Sequence, residues 1–139
     1  MILLDTHVLS ALLRPHQEPL VVQWLNCLAD DDICTSAYNM FELRCGIDQL
    51  PAGKRRTKLR SDLAVIVAQI LRDRIIPFDA TTAAIAASLR ADREKAGKPI
   101  DVGDMAVASA AMAGNFALAT RNIRHFADTK LHLINPWTP

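Results

Sequence analysis

The chain has 139 residues, half of them apolar, and a formal net charge of +1. That length and apolar share suit one domain with a sizeable core, while the near-neutral charge excludes a globally basic nucleic-acid binder and leaves only a local patch for such a role. No apolar run reaches the roughly 20 residues of a membrane span, no basic region marks a signal peptide, and Cys27, Cys34 and Cys45 show no CxxC spacing, so the chain reads as a cytoplasmic protein with reduced thiols.

The opening MILL is a continuous apolar run, the pattern of a strand buried on both faces of a parallel sheet. Asp5 or Thr6 can cap a helix running to about Leu13, which Arg14-Pro15 closes. Val21, Val22, Trp24, Leu25 and Leu28 predict a second helix to about Ala29, and the acidic triplet at 30–32 turns into a short strand, ICTS. Ser36 starts a helix to about Leu50, stopped by Pro51. GKRRTKLRSDLAVIVAQILRD reads as one long amphipathic helix, RIIPFD as a strand, and 81–96 as a helix that Gly97 ends. IDVGDMAVASAAMAGNFALATRN follows as a helix, a turn at Gly114-Asn115 and the strand FALAT, and LHLINPW adds a last short strand. Short apolar strands alternating with helices predict an α/β fold, a mainly parallel sheet flanked by helices, as a single domain over 1–139 without repeats or linkers.

In open α/β sheets ligands gather beyond the carboxyl ends of the strands. Asp5 follows the first strand, Glu42 lies early in the helix after ICTS, Asp104 sits in the first turn of its helix, and Asn122 comes two residues past FALAT. Each has a plainer alternative. Asp5 can simply cap its helix, and Asp101 with Asp104 three residues on approximates a capping box, worth about 1 kcal/mol. A lone carboxylate is nevertheless unusual on a helix with no other charge over 105–120. Helical phase sets Glu42 opposite a buried face of Met40, Phe41, Leu43 and Ile47, as solvated surface. Asn122 can be a turn residue.

If the acids converge, two carboxylates about 4 Å apart repel by roughly 4 kcal/mol at an effective dielectric of about 20. Such a cluster takes up a proton or binds a cation. Oxygen-only ligands suit Mg²⁺, with Mn²⁺ as a substitute, and a metal held this way serves phosphodiester hydrolysis.

MILLDTHVLSALLRP, YNMFELRCGI, GKPIDVGDMAVASAAMAG, FALATRNIRHF and the closing NPW occur in the order of PIN-domain ribonucleases, and over its whole length the chain resembles the VapC and FitB type of toxin. The resemblance implies a PIN-like fold and a Mg²⁺-dependent endoribonuclease. By it Asp5 and Asp104 hold the metal, directly or through water, and Glu42 orients or deprotonates the attacking water, against its helical phase. Asn122 takes a fourth position where relatives often carry Asp, and His7 stands where many have Asn. Thr6 and Thr120 are close enough to the rim to donate to a carboxylate or a phosphate. The family further implies a VapB- or FitA-like antitoxin covering the acidic site, a homodimer, and operator DNA bound only through the antitoxin.

GKRRTKLR holds five basic residues in eight, so Lys54, Arg55 and Arg56 either bind RNA phosphates or form an ordinary solvated face. The low aromatic content argues against a stacking platform for single strands. Two rival readings remain. One is a phosphatase or phospho-acceptor domain with Asp5 as nucleophile, which would want a second acid where this chain has His7. The other is a catalytically weak PIN fold acting as its antitoxin's co-repressor, for which the missing acid at Asn122 speaks. There is no GxGxxG for a dinucleotide, and His7, His16, His125 and His132 make no zinc spacing.

Overall fold

The computed structural model describes residues 1–138. Among them five short strands, β1 (Ile2–Leu4), β2 (Ile33–Ser36), β3 (Ile75–Ile76), β4 (Ala117–Ala119) and β5 (Leu133–Ile134), form a sheet in the order β3-β2-β1-β4-β5. Every pairing is parallel. The helices are α1 (Thr6–Leu13), α2 (Pro19–Asn26), α3 (Ala37–Asp48), α4 (Lys54–Val65), α5 (Ala80–Lys95), α6 (Val102–Gly114) and α7 (Ile123–Phe126).

Both faces of the sheet are covered, which is why its strands show no alternation of apolar and polar residues; Thr35 and Ser36, at the end of β2, are buried polar residues. Leu4, Ile33 and Ala119 point into a core shared with Val8, Leu25, Leu43 and Leu63 of α1 to α4. Their neighbours Leu3, Cys34 and Leu118 point the opposite way, into a core built with Leu89, Val107, Ala111 and Phe126 of α5 to α7. The chain works outward from β1 to β3 and then returns to lay β4 on the other flank of β1. The strand order therefore reverses between β1 and β4, the position at which such sheets open a crevice for ligands.

Local chemistry sets most helix ends. Ser36 accepts from the Asn39 N–H at 3.2 Å, and Asp101 accepts from the Gly103 N–H at 2.7 Å. Asn115 closes α6 in the left-handed conformation at φ 53°.

Several expected boundaries move. The long helix over 53–73 is α4 followed by one wide turn at Ile66–Ile70, where the Leu71 N–H reaches the Ile66 carbonyl at 2.9 Å. That five-residue step keeps both Ile66 and Leu71 buried. The RIIPFD strand shrinks to Ile75–Ile76, because Pro77 has no N–H for the ladder. The second helix ends at Asn26, the FALAT strand spans Ala117–Ala119, and the closing strand is Leu133–Ile134. Among the described residues no helix is long and apolar enough to cross a membrane.

Candidate active site

Asp5 follows β1 directly, at the point where the strand order reverses, and it is buried. A buried carboxylate needs donors. Oδ1 accepts from the Thr6 N–H at 2.8 Å and from Asn39 Nδ2 at 2.9 Å, and Oδ2 accepts from the Thr120 hydroxyl at 2.6 Å. The first of these bonds makes Asp5 the cap of α1, so capping and site roles coincide. A carboxylate offers about four acceptor positions, and the donors leave one of them for a cation.

Asn39 is fully buried and connects the rest of the rim. Its Oδ1 accepts from the Ser36 hydroxyl at 2.5 Å, and its Nδ2 also reaches Thr6 Oγ1 at 3.0 Å. Thr6 in turn donates to Glu42 Oε1 at 2.7 Å. Glu42 is thus exposed, as helical phase predicts, yet it faces the same rim as Asp5. The buried face of α3 differs from expectation at one place: Phe41 is 59% exposed, and Asn39 takes the inward position beside Met40, Leu43 and Ile47.

Asp104 enters from α6 and is half-buried. His125 Nδ1 lies 2.9 Å from its Oδ2. Burial pushes the Asp104 carboxyl up to about 6, the hydrogen bond and negative charge of Asp101 and the charge of Asp5 add to the rise, and His125 opposes it. Asp101 moves the other way. Burial pulls it up, but hydrogen bonds from the Asp104 side chain and the Gly103 and Asp104 amides, with His125 nearby, hold it below its ordinary value. Tyr38 completes the cluster: its hydroxyl is raised by burial and then by the charges of Glu42, Asp101, Asp104 and Cys45. Gly103 makes room for it, since a Cβ there would lie 2.7 Å from the Tyr38 hydroxyl oxygen.

Asn122 reaches the site through its backbone, whose N–H donates to Thr120 Oγ1 at 3.1 Å. Its side chain makes no hydrogen bond among the described residues and holds none of the acids. Of the expected basic residues, Arg55 shares a groove of about 330 Å³ with Thr6, Arg14 and Glu42. Lys54 does not line that groove, and Arg56 instead caps the Leu50 carbonyl at 3.4 Å.

No three His, Cys, Asp or Glu side chains form a closed metal cage among the described residues. The rim instead offers the free position of Asp5 and the carboxyl of Asp104, with Glu42 beside them. Mg²⁺ characteristically takes one or two carboxylates and leaves its other positions to water and phosphate, so this donor set fits it.

Sequence reasoning missed Tyr38, Asn39 and His125. Asn39 left a signal, being a polar residue in the apolar phase of α3. His125 left none, because its partner is on another helix.

Comparison with known proteins agrees with this architecture. The PIN domain model matches residues 2–130. VapC ribonuclease Y4jK of Sinorhizobium fredii is 37% identical over 139 residues, covering 100% of this chain and 99% of its own. Toxin FitB of Neisseria gonorrhoeae is 37% identical over 137 residues, 99% of each chain. The crystal structure of FitAcB from Neisseria gonorrhoeae superposes with a TM-score of 0.92 at 37% identity and covers 100% of both chains. The structure of FitAB bound to an IR36 DNA fragment gives 0.92 at 35% identity, over 100% of this chain and 97% of that one.

Proposed function

The chain belongs to the PIN-domain family, alongside the VapC and FitB toxins, and from this premise we propose that it is the toxin of a type II toxin–antitoxin pair and a Mg²⁺-dependent endoribonuclease. The reading is carried by Asp5, a buried carboxylate locked by donors from Thr6, Asn39 and Thr120, whose charge is felt at a second carboxyl, Asp104. Asp5 and Asp104 would hold Mg²⁺, or Mn²⁺ in its place. When bound, such an ion stabilises charge on phosphorus-bound oxygens and lowers the pKa of water.

The protein's own groups divide the remaining work. Asn39 and Thr120 fix Asp5 in advance, so no reorganisation is needed as charge develops. Among the described residues Glu42 is hydrogen-bonded by Thr6 only, and it is exposed, which lets it orient an attacking water and take its proton. Arg55, in the groove beside Glu42, attracts phosphate. Asn122 adds a neutral polar group at the end of β4 without adding charge.

On this reading an antitoxin covers the acidic rim, and a cationic side chain from it neutralises Asp5 and Asp104 in place of the metal. A homodimer, operator DNA bound through the antitoxin, and a cytoplasmic site of action belong to the same proposal. The test is cleavage of a mixed, end-labelled RNA pool by antitoxin-free protein in Mg²⁺, in EDTA, and with Asp104→Asn. Cutting that needs the metal and disappears in the variant is expected. Absence of cutting by folded protein in either Mg²⁺ or Mn²⁺ overturns the nuclease and leaves the co-repressor reading, which the neutral Asn122 favours.

A further inference from the structure

Next to the acids lies a cavity of about 300 Å³ lined by Arg121, Asn122, Ile123, Arg124, His125 and Asn135. We infer that this cavity is a subsite for the RNA backbone, holding a phosphate adjacent to the one that is cut. The inference rests on the ribonuclease reading above.

Its lining is rich in hydrogen-bond donors and contains no carboxylate. Position ties it to the reaction, since two of its walls touch the acid network. His125 is the residue whose Nδ1 reaches Asp104 at 2.9 Å, and the Asn122 backbone is bonded to Thr120, which holds Asp5. A strand whose scissile phosphate meets Asp5 and Asp104 brings its next phosphate to these walls.

Charge balance supports the assignment. Lys58 is paired with Asp62 at 2.6 Å and Arg60 with Asp48 at 2.8 Å, so two of the five basic residues at 54–60 are locally neutralised. Arg72, Arg74 and Arg90 are paired as well. Among the described residues, no carboxylate engages Arg121 or Arg124, so both keep their full attraction for an anion.

Arg121 is also held in place. Its guanidinium lies over the Trp137 ring at 5.2 Å, and the Trp137 indole N–H donates to Glu18 Oε2 at 2.8 Å. Stacking uses the face of the guanidinium and leaves its N–H edge for phosphate oxygens. Ordering the side chain beforehand removes part of the entropic cost of binding.

The experiment measures binding of a mixed-sequence single-stranded RNA pool in EDTA, across a series of KCl concentrations, for wild type, Arg124→Gln and Arg121→Gln/Arg124→Gln. Arg90→Gln is the control, with thermal unfolding recorded for each protein. Losing the one phosphate contact should lower the slope of log K against log salt by about 0.7 in the double variant, and by part of that in Arg124→Gln, with affinity falling on the order of tenfold and Arg90→Gln unchanged. Arg124 is exposed, so its single variant keeps the test open if losing the Trp137 stack destabilises the double one. RNA binding by folded variants with an unaltered salt slope overturns the subsite, whether or not affinity falls. Failure of the wild type to bind RNA in EDTA even at low salt also overturns the subsite, whereas the ribonuclease reading is judged by the cleavage assay in Mg²⁺.

Discussion

Thr120 donates its hydroxyl to Asp5 Oδ2 at 2.6 Å, joining residues 115 apart in sequence across the junction of β1 and β4. The same Thr120 oxygen accepts the Asn122 N–H at 3.1 Å, so one hydroxyl orients an acid and the turn that follows it.

Thr120→Val keeps the shape and removes both bonds. Because Asp5 and Thr120 are buried, the loss leaves unsatisfied groups and should cost about 1–3 kcal/mol in urea unfolding. RNA cleavage should fall at least tenfold. Thr120→Ser should retain most of both properties, which separates the hydroxyl from the methyl.

Asn39→Asp replaces an amide donor by an acid at a point 2.9 Å from Asp5 Oδ1. At neutral pH two buried carboxylates would then face each other, at a cost of about 3 kcal/mol. Protonation relieves the repulsion, so the melting-temperature deficit relative to wild type should be larger at pH 8 than at pH 5. Equal deficits at both values would mean that only the lost hydrogen bonds matter.

Asp104 makes metal-free stability depend on pH in a definite direction. Its carboxyl is raised from 3.8 to about 6 in the folded protein, chiefly by burial. Between these values the folded state keeps a proton that the unfolded chain has released, so this group lowers stability as pH rises through the window. In EDTA, Asp104→Asn should therefore stabilise the protein relative to wild type at pH 7 and make little difference near pH 4. Mg²⁺ should raise the wild-type melting temperature at pH 7 more than at pH 4.5. Thermal melts of both proteins across this range check the sign.

Asn122→Asp adds charge beside Thr120 at the end of β4, where the side chain is free of hydrogen bonds among the described residues. Mn²⁺ affinity by calorimetry should rise about tenfold, equivalent to roughly 1.4 kcal/mol, and stability in EDTA should fall. Unchanged affinity would show that this position does not face the metal.

Much of this molecule was legible from short-range rules. The apolar run MILL and the short segment ICTS became buried strands because both sheet faces are covered, and Asp5, Ser36 and Asp101 became caps because such bonds close within three residues. Motif order pointed to the family and put Glu42 among the candidate acids, whereas helical phase set it facing solvent, where it lies.

The sequence by itself determined the alternation of strands and helices, the caps and the set of acids. Tertiary structure alone decided what each acid faces. Periodicity reports whether a side chain leaves its own helix or strand, whereas its partner depends on strand order. Asp5 meets Thr120 because β4 lies beside β1, and Glu42 meets Thr6 because α3 packs on α1. The His125 contact to Asp104 and the basic cavity beside it arise in the same way, from α7 packing against α6.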